Sequence, residues 1–253
     1  MSLLAVVIGM IGLAAGVMIG CVGVGGVIVV PALVYGLGMP IQDAIASAMM
    51  GYVLTGLIGT AVYASKRSIR WEFAGWIALG AAPGALFGAW ASNGVDPRLL
   101  ELGVGVLALW SGLYSLLRRR GAASSTEPKA LRPIELGAVG LVTGVLSAMT
   151  GTGGPLVLVP ILIGLKLSTL AAVGLSQAAQ IPIAILATAG NVAYGDPDVS
   201  QGVALGLGLA AGTWAGAKIA HALPRKTLEK IASAVLLIVG CLVLARLGYR
   251  QFG

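Results

Sequence analysis

Apolar blocks of membrane-spanning length recur along this chain from Leu3 to Leu247, separated by short polar or glycine-rich breaks. Their spacing predicts ten helical segments, five in each half. In the first half they run about 3–20, 27–38, 41–63, 71–92 and 99–117. In the second they run about 134–149, 155–166, 169–190, 199–220 and 228–247. A helix rises about 1.5 Å per residue, so most of these can cross a hydrocarbon core of about 30 Å. The second segment of each half, with about 12 residues and roughly 18 Å of helix, cannot.

Each undersized segment follows a run of glycines. Residues Val22 to Pro31 read VGVGGVIVVP, and Thr150 to Pro160 read TGTGGPLVLVP. Gly151, Gly153 and Gly154 lie 128 positions after Gly23, Gly25 and Gly26. A glycine run before a short helix predicts a helical hairpin that dips into the membrane and returns. Other positions repeat in the same register. Pro31 matches Pro160 and Ser47 matches Ser176 at an offset of 129, while Gly80, Gly84 and Gly88 match Gly208, Gly212 and Gly216 at 128. Small residues four apart let membrane helices approach closely, so the Gly80 and Gly208 rows are read as packing. The chain therefore divides into a first membrane repeat (1–117), a linker (118–133) and a second membrane repeat (134–253).

Composition strengthens this picture. With 58 % hydrophobic and only 10 % charged residues among 253, the chain is far too poor in charge for a soluble domain. The fold class expected is an all-α polytopic membrane protein of two inverted-topology repeats, each a re-entrant broken-helix hairpin plus three transmembrane helices. The opening MSLLAVVIGM has no basic flank, which predicts a retained segment rather than a cleaved signal peptide.

Charge decides the sense of the repeat. In an inverted arrangement, 13 of the 16 Lys and Arg residues fall on one side, leaving Arg98, Arg246 and Arg250 opposite. A parallel arrangement divides them 10 against 6. The positive-inside rule favours inversion, with both termini outside and the 118–133 linker in the cytoplasm. The acidic loop around Asp196 and Asp198 then faces outward. Because the basic residues flank apolar spans instead of forming a polar domain, the net charge of +7 points to topology and not to nucleic acid.

Interrupted helices at equivalent positions of inverted halves are the best sequence pointer to a transporter's substrate site. Loop amides, with the N-terminal ends of the helices starting near Val27 and Pro155, would hold an anion without any buried cation. Pro155 suits a first helical position, where its missing N–H costs nothing. The GxGG runs lack the Lys-Ser/Thr of a phosphate-binding loop and follow no strand, which removes soluble nucleotide readings.

The GVGVGG and TGTGG runs, each closed by a short apolar segment and a proline in a duplicated polytopic chain, resemble the TauE/SafE family of sulfite exporters. The likeness covers essentially the whole chain. It implies export of a small sulfur-containing anion, sulfite or an organosulfonate, across a bacterial inner membrane. It carries Gly23, Gly25, Gly26, Gly151, Gly153 and Gly154 over as motif positions. Uncharged polar neighbours are added from the residues themselves: Thr150, Thr152 and Cys21 at the loops, and Ser47, Ser176, Gln177 and Gln180 on the third segments. Ser176 and Gln180 share a helical face. A serine or threonine can equally bond back to its own helix, and Cys21 can be a packing residue. An amide inside a membrane must find partners and usually marks function.

The nine acidic residues all fall in loops or near segment ends, so no carboxylate proton relay is expected at the midplane. An inside-negative potential drives an anion outward by about 2.3 kcal/mol per charge per 100 mV, enough for uncoupled export. The alternatives are an anion channel using the same loops as a filter, or a transporter of another organic anion such as a carboxylate. One histidine and two distant cysteines supply no nucleophile–base pair, no CxxC and no ligand cluster, so neither enzyme activity nor a metal or cofactor is expected. The partners expected are the small anionic substrate and the lipid bilayer.

Overall fold

The computed structural model describes residues 3–118, 131–194, 197–222 and 225–252, and among them it holds helices and no strand. The first half contains α1 (Leu3–Val22), α2 (Gly26–Pro31) with a π-helical turn (Ala32–Gly36), α3 (Ile41–Ser65), α4 (Trp71–Gly94) and α5 (Pro97–Arg118). The second contains α6 (Pro133–Thr150), α7 (Pro155–Gly164), α8 (Thr169–Tyr194), α9 (Val199–Ala222) and α10 (Arg225–Phe252). These are the ten segments expected, with most ends within two residues of expectation, the end of α8 extended by four and both ends of α10 extended by three and five. Most of the 118–133 linker, and Asp196 of the acidic loop, lie outside the described residues.

Local chemistry explains the breaks. Pro31 removes an N–H and crowds the turn before it, and the chain widens there into the π turn. Pro155 opens α7 at its first position, and Pro40 precedes α3 in extended conformation. Asp198 accepts the backbone N–H groups of Gln201 (3.3 Å) and Ser200 (2.9 Å) at the start of α9. These bonds hold its carboxyl below the ordinary aspartate range.

Among the described residues, six helices are long and apolar enough to span a membrane: α1, α3, α4, α6, α8 and α9. The set differs from expectation in two respects: α5 and α10, expected as crossings, are not among these six, and α1 and α6 are. The first arm of each hairpin is a full-length helix, and only the returning arm, α2 or α7, is short. All five tryptophans are exposed, as in the aromatic belts of membrane proteins.

Backbone contacts between glycine-bearing faces set the helix directions. A Cβ at Gly12, Gly16 or Gly20 of α1 would lie 2.5, 2.3 or 2.3 Å from the carbonyl oxygens of Leu205, Leu209 and Thr213 on α9. From the other side, Gly208, Gly212 and Gly216 meet the carbonyls of Gly9, Leu13 and Val17. Both series ascend together, so α1 and α9 run in the same sense. The matched pair α4 and α6 repeats this arrangement, with Gly80, Gly84 and Gly88 against the carbonyls of Gly137, Leu141 and Val145. The expected glycine rows thus pack against a second, unexpected set on α1 and α6. By the same contacts α3 runs with α9 and against α8, and α5 runs against α10. Since α1 and α3 share a direction, the chain must return between them, and α2 with its π turn is that return.

These directions gather Lys66, Arg67, Arg70, Arg132, Lys166, Lys218 and Lys230 at one end of the bundle, with Arg98 and Arg246 at the other. At that second end Tyr35 donates its hydroxyl proton to the buried Glu101 (2.8 Å) and lies beneath Arg246 (4.4 Å).

Candidate functional site

The last carbonyls of a helix have no partner within it, and α1 ends inside the bundle where water is scarce. Three groups meet that demand. Gly23 takes the left-handed conformation (φ +79°) and returns its N–H to Ile19 O at 2.9 Å. Gln177 Nε2 donates to the same oxygen at 3.2 Å, and the Tyr63 hydroxyl donates to Gly20 O at 2.9 Å. The end of α6 is handled locally. Thr150 donates to Leu146 O at 2.6 Å, and its oxygen pairs with Thr152 Oγ1 at 2.9 Å. Gly151, Gly153 and Gly154 then follow with φ of +66°, +77° and +89°.

The two loops interlock. A Cβ at Gly23 would sit 3.1 Å from both Pro155 Cβ and Val159 Cγ2 of the other half. One at Gly26 would lie 2.1 Å from Thr152 O, and one at Gly151 would lie 2.7 Å from Val30. Gly25 closes against its own α1, where a Cβ would reach Ala15 O at 2.0 Å. The structure therefore brings together all six predicted glycines with Thr150 and Thr152, and every one of these residues is buried.

Tyr52 on α3 stands at the centre of this junction and was not foreseen. It is fully buried; its hydroxyl donates to Gly26 O at 3.1 Å, and its ring lies 2.7 Å from where a Gly153 Cβ would be. The signal was present: Tyr52 and Tyr63 are eleven residues apart, about three turns, and so share a helical face. Gln180 and Asn191 occupy the matching positions 128 residues later.

The remaining predicted residues separate. Gln180 reaches the junction, donating from Nε2 to Tyr52 O (3.2 Å) and to Thr55 Oγ1. Gln177 stands at the end of α1 as described. Ser176 bonds back to Val173 O at 2.8 Å, and Cys21 turns to Gly216 O on α9 at 3.1 Å. Those two are occupied in helix packing. Ser47 Oγ is buried with no hydrogen-bond partner, as are the oxygens of both glutamines.

Proton counting narrows what this site can donate. A hydroxyl carries one proton, so with Thr150 bonded to Leu146 O, the proton between the threonines belongs to Thr152. Both threonines are then committed, as are both amide protons of Gln180 and one of Gln177. The backbone is not. Outside the helices, no backbone hydrogen bond is donated by Val24, Gly25, Thr152, Gly153 or Gly154 among the described residues. Every contact named at the junction comes from an uncharged group. Among the described residues, no three His, Cys, Asp or Glu side chains cluster to hold a metal.

Comparison with known proteins agrees with this architecture. The chain is 27 % identical over 237 residues to the probable membrane transporter protein YdhB of Bacillus subtilis, covering 90 % of this chain and 96 % of that protein. It is 24 % identical over 267 residues to the probable membrane transporter protein YunE of the same organism, covering 93 % and 96 %. No solved structure matches significantly. The model of the family described as sulfite exporter TauE/SafE matches residues 8–243. With that match across nearly its whole length, this multi-pass membrane chain belongs to the TauE/SafE family of membrane transporters.

Proposed function

We propose that the protein exports a small sulfur-containing oxyanion, sulfite or an organosulfonate, by alternating access, with the anion held by backbone amides of the two glycine loops. The observation that carries this reading is the junction itself: matched loops interlock in the bundle interior, surrounded by uncharged groups, while the N–H groups of Val24, Gly25, Thr152, Gly153 and Gly154 stay unspent. Buried amides seek an acceptor, and an oxyanion offers several at once. The family description supplies the sulfur class.

The halves are read as inverted repeats. Four correspondences support this, because α1, α3, α4 and α5 each run opposite to α6, α8, α9 and α10, as the contacts with α9, α4 and one another require. With the basic end placed in the cytoplasm by the positive-inside rule, both termini lie outside. Tight loop contact favours a carrier over an open pore, since an anion must part the loops to reach the amides. The membrane potential then supplies the drive, about 2.3 kcal/mol per charge per 100 mV.

Proteoliposomes loaded with sulfite, taurine, sulfoacetate or a carboxylate provide the test. A saturable efflux of a sulfur oxyanion, with counterflow and dependence on potential, is expected. Unitary currents without counterflow would replace the carrier with a channel. Transport confined to carboxylates would remove the sulfur assignment and keep the amide site.

A further inference from the structure

A cavity of about 690 Å³ opens on the outer surface between α3 and α9, at the basic end of the bundle and away from the glycine loops. Its walls are apolar: Ile58, Ala61 and Val62 from α3, and Trp214 from α9. Its rim is polar and cationic, with Ser65, Lys66, Lys218 and His221. Ile58 lies seven residues before Ser65 and Trp214 seven before His221, so the apolar part runs about 10 Å along the helices from the rim. The Lys218 ammonium rests 3.5 Å over the Trp214 ring, which holds it at the mouth. His221 donates from Nδ1 to Ala217 O at 2.7 Å, leaving Nε2 on the side of the Ser68 hydroxyl, 3.5 Å away. Behind the rim Tyr63 packs on His221 with ring centres 5.0 Å apart, its hydroxyl already spent on Gly20 O.

We propose that this groove binds one anionic phospholipid, its phosphate between Lys66 and Lys218 and one acyl chain along Ile58, Val62 and Trp214. Three features select a lipid over a water-soluble anion. The groove is walled mainly by hydrocarbon, which a free oxyanion cannot use. Its neighbours Leu57 (49 % exposed) and Ile219 (39 %) face outward on spanning helices, so the mouth opens to the bilayer. The cationic rim lies at the end that carries most of the described basic residues, the side on which anionic lipids are enriched and basic residues attract them. The site rests on the chain's being in a membrane with its basic end in the cytoplasm, and is independent of the transported substrate.

Native mass spectrometry of the purified full chain tests this, titrating phosphatidylglycerol against phosphatidylcholine of the same chains. Two lysines near the headgroup predict roughly thirtyfold tighter binding of the anionic lipid. The double variant Lys66→Gln/Lys218→Gln is expected to bring that ratio close to one, while Arg98→Gln, at the opposite end, leaves it unchanged. Ala61→Trp fills the groove without altering charge and is expected to lower occupancy by phosphatidylglycerol several-fold, with a monodisperse elution profile showing that the fold is kept. Equal binding of the two lipids by the wild type, or a preference that survives the double variant, would overturn the proposal. Displacement of the lipid by millimolar inorganic phosphate would also overturn it, and would mark a site for soluble anions.

Discussion

The two glycine loops share three matched glycines, yet they use them differently. Gly23 and Gly151 both end a long helix in the left-handed conformation, at φ +79° and +66°. After them the loops diverge. Gly25 has φ −63° and Gly26 already opens α2, whereas Gly153 and Gly154 stay at +77° and +89°. In the first loop the glycines are needed because backbone presses on them, Ala15 O and Thr152 O standing 2.0 and 2.1 Å from where a Cβ would be. In the second, positive φ calls for glycine at all three positions; side chains press on Gly151 and Gly153, Val30 and Tyr52 each 2.7 Å from a Cβ, while at Gly154 the nearest atom is the flexible tip of Ile183, at 3.3 Å. One duplicated motif thus builds a tightly packed insert on one side and a curved, amide-rich turn on the other. The matched glycines keep the break in both halves while the contacts around it differ.

The largest effect expected from this contrast is at Gly26. Gly26→Ala sets a methyl group against a backbone carbonyl that cannot yield, and should cost on the order of 3 kcal/mol or more in SDS unfolding, abolishing efflux. Its matched partner is milder: Gly154→Ala carries mainly the strain of a positive φ with negative ψ (+89°, −56°), about 1–3 kcal/mol. Equal losses in the same titration would erase the distinction between a packed and a conformational glycine. Tyr52→Phe leaves Gly26 O without its donor and is expected to cost about 1 kcal/mol. Thr152→Val removes the proton shared between the threonines and should also cost about 1 kcal/mol of stability. If amides hold the anion, that variant keeps the wild-type shift in melting temperature on anion binding; loss of the shift would move the site to the hydroxyls. Ser176→Ala stands at the bottom of the scale, within about 0.5 kcal/mol and with unchanged efflux, because its hydroxyl only bonds its own helix.

Much of the helix plan was readable in advance because the bilayer leaves a chain few options. Spans must be apolar and about 20 residues long, so their ends are marked by charge, as at Lys66–Arg70 and Arg132. The glycine rows on α4 and α9 were readable as packing faces from their spacing of four. Their partners on α1 and α6, Gly12, Gly16, Gly140 and Gly144 among them, carry the same spacing, but which rows meet is decided by how the helices assemble. Polar residues were harder to interpret. Gln177 and Gln180 stood out as costly in a membrane, yet their amide protons serve the end of α1 and the backbone of α3. Tyr52, which touches both loops, looked like one more apolar position in a spanning segment.

Hydropathy, charge asymmetry and the offset of 128 by themselves determined an all-helical membrane protein with glycine breaks at matched positions and a polarised distribution of basic residues. These are one-dimensional properties, set by bilayer thickness and by the cost of charge in hydrocarbon, so a string of letters suffices to state them. Only the tertiary structure decided that the breaks from the two halves interlock, that Tyr52 lies between them, and that side-chain protons are largely spent while the amides of Val24, Gly25, Thr152, Gly153 and Gly154 are not. Such facts depend on which faces meet across more than a hundred residues of separation. Matched glycines can therefore differ in role while remaining identical in sequence.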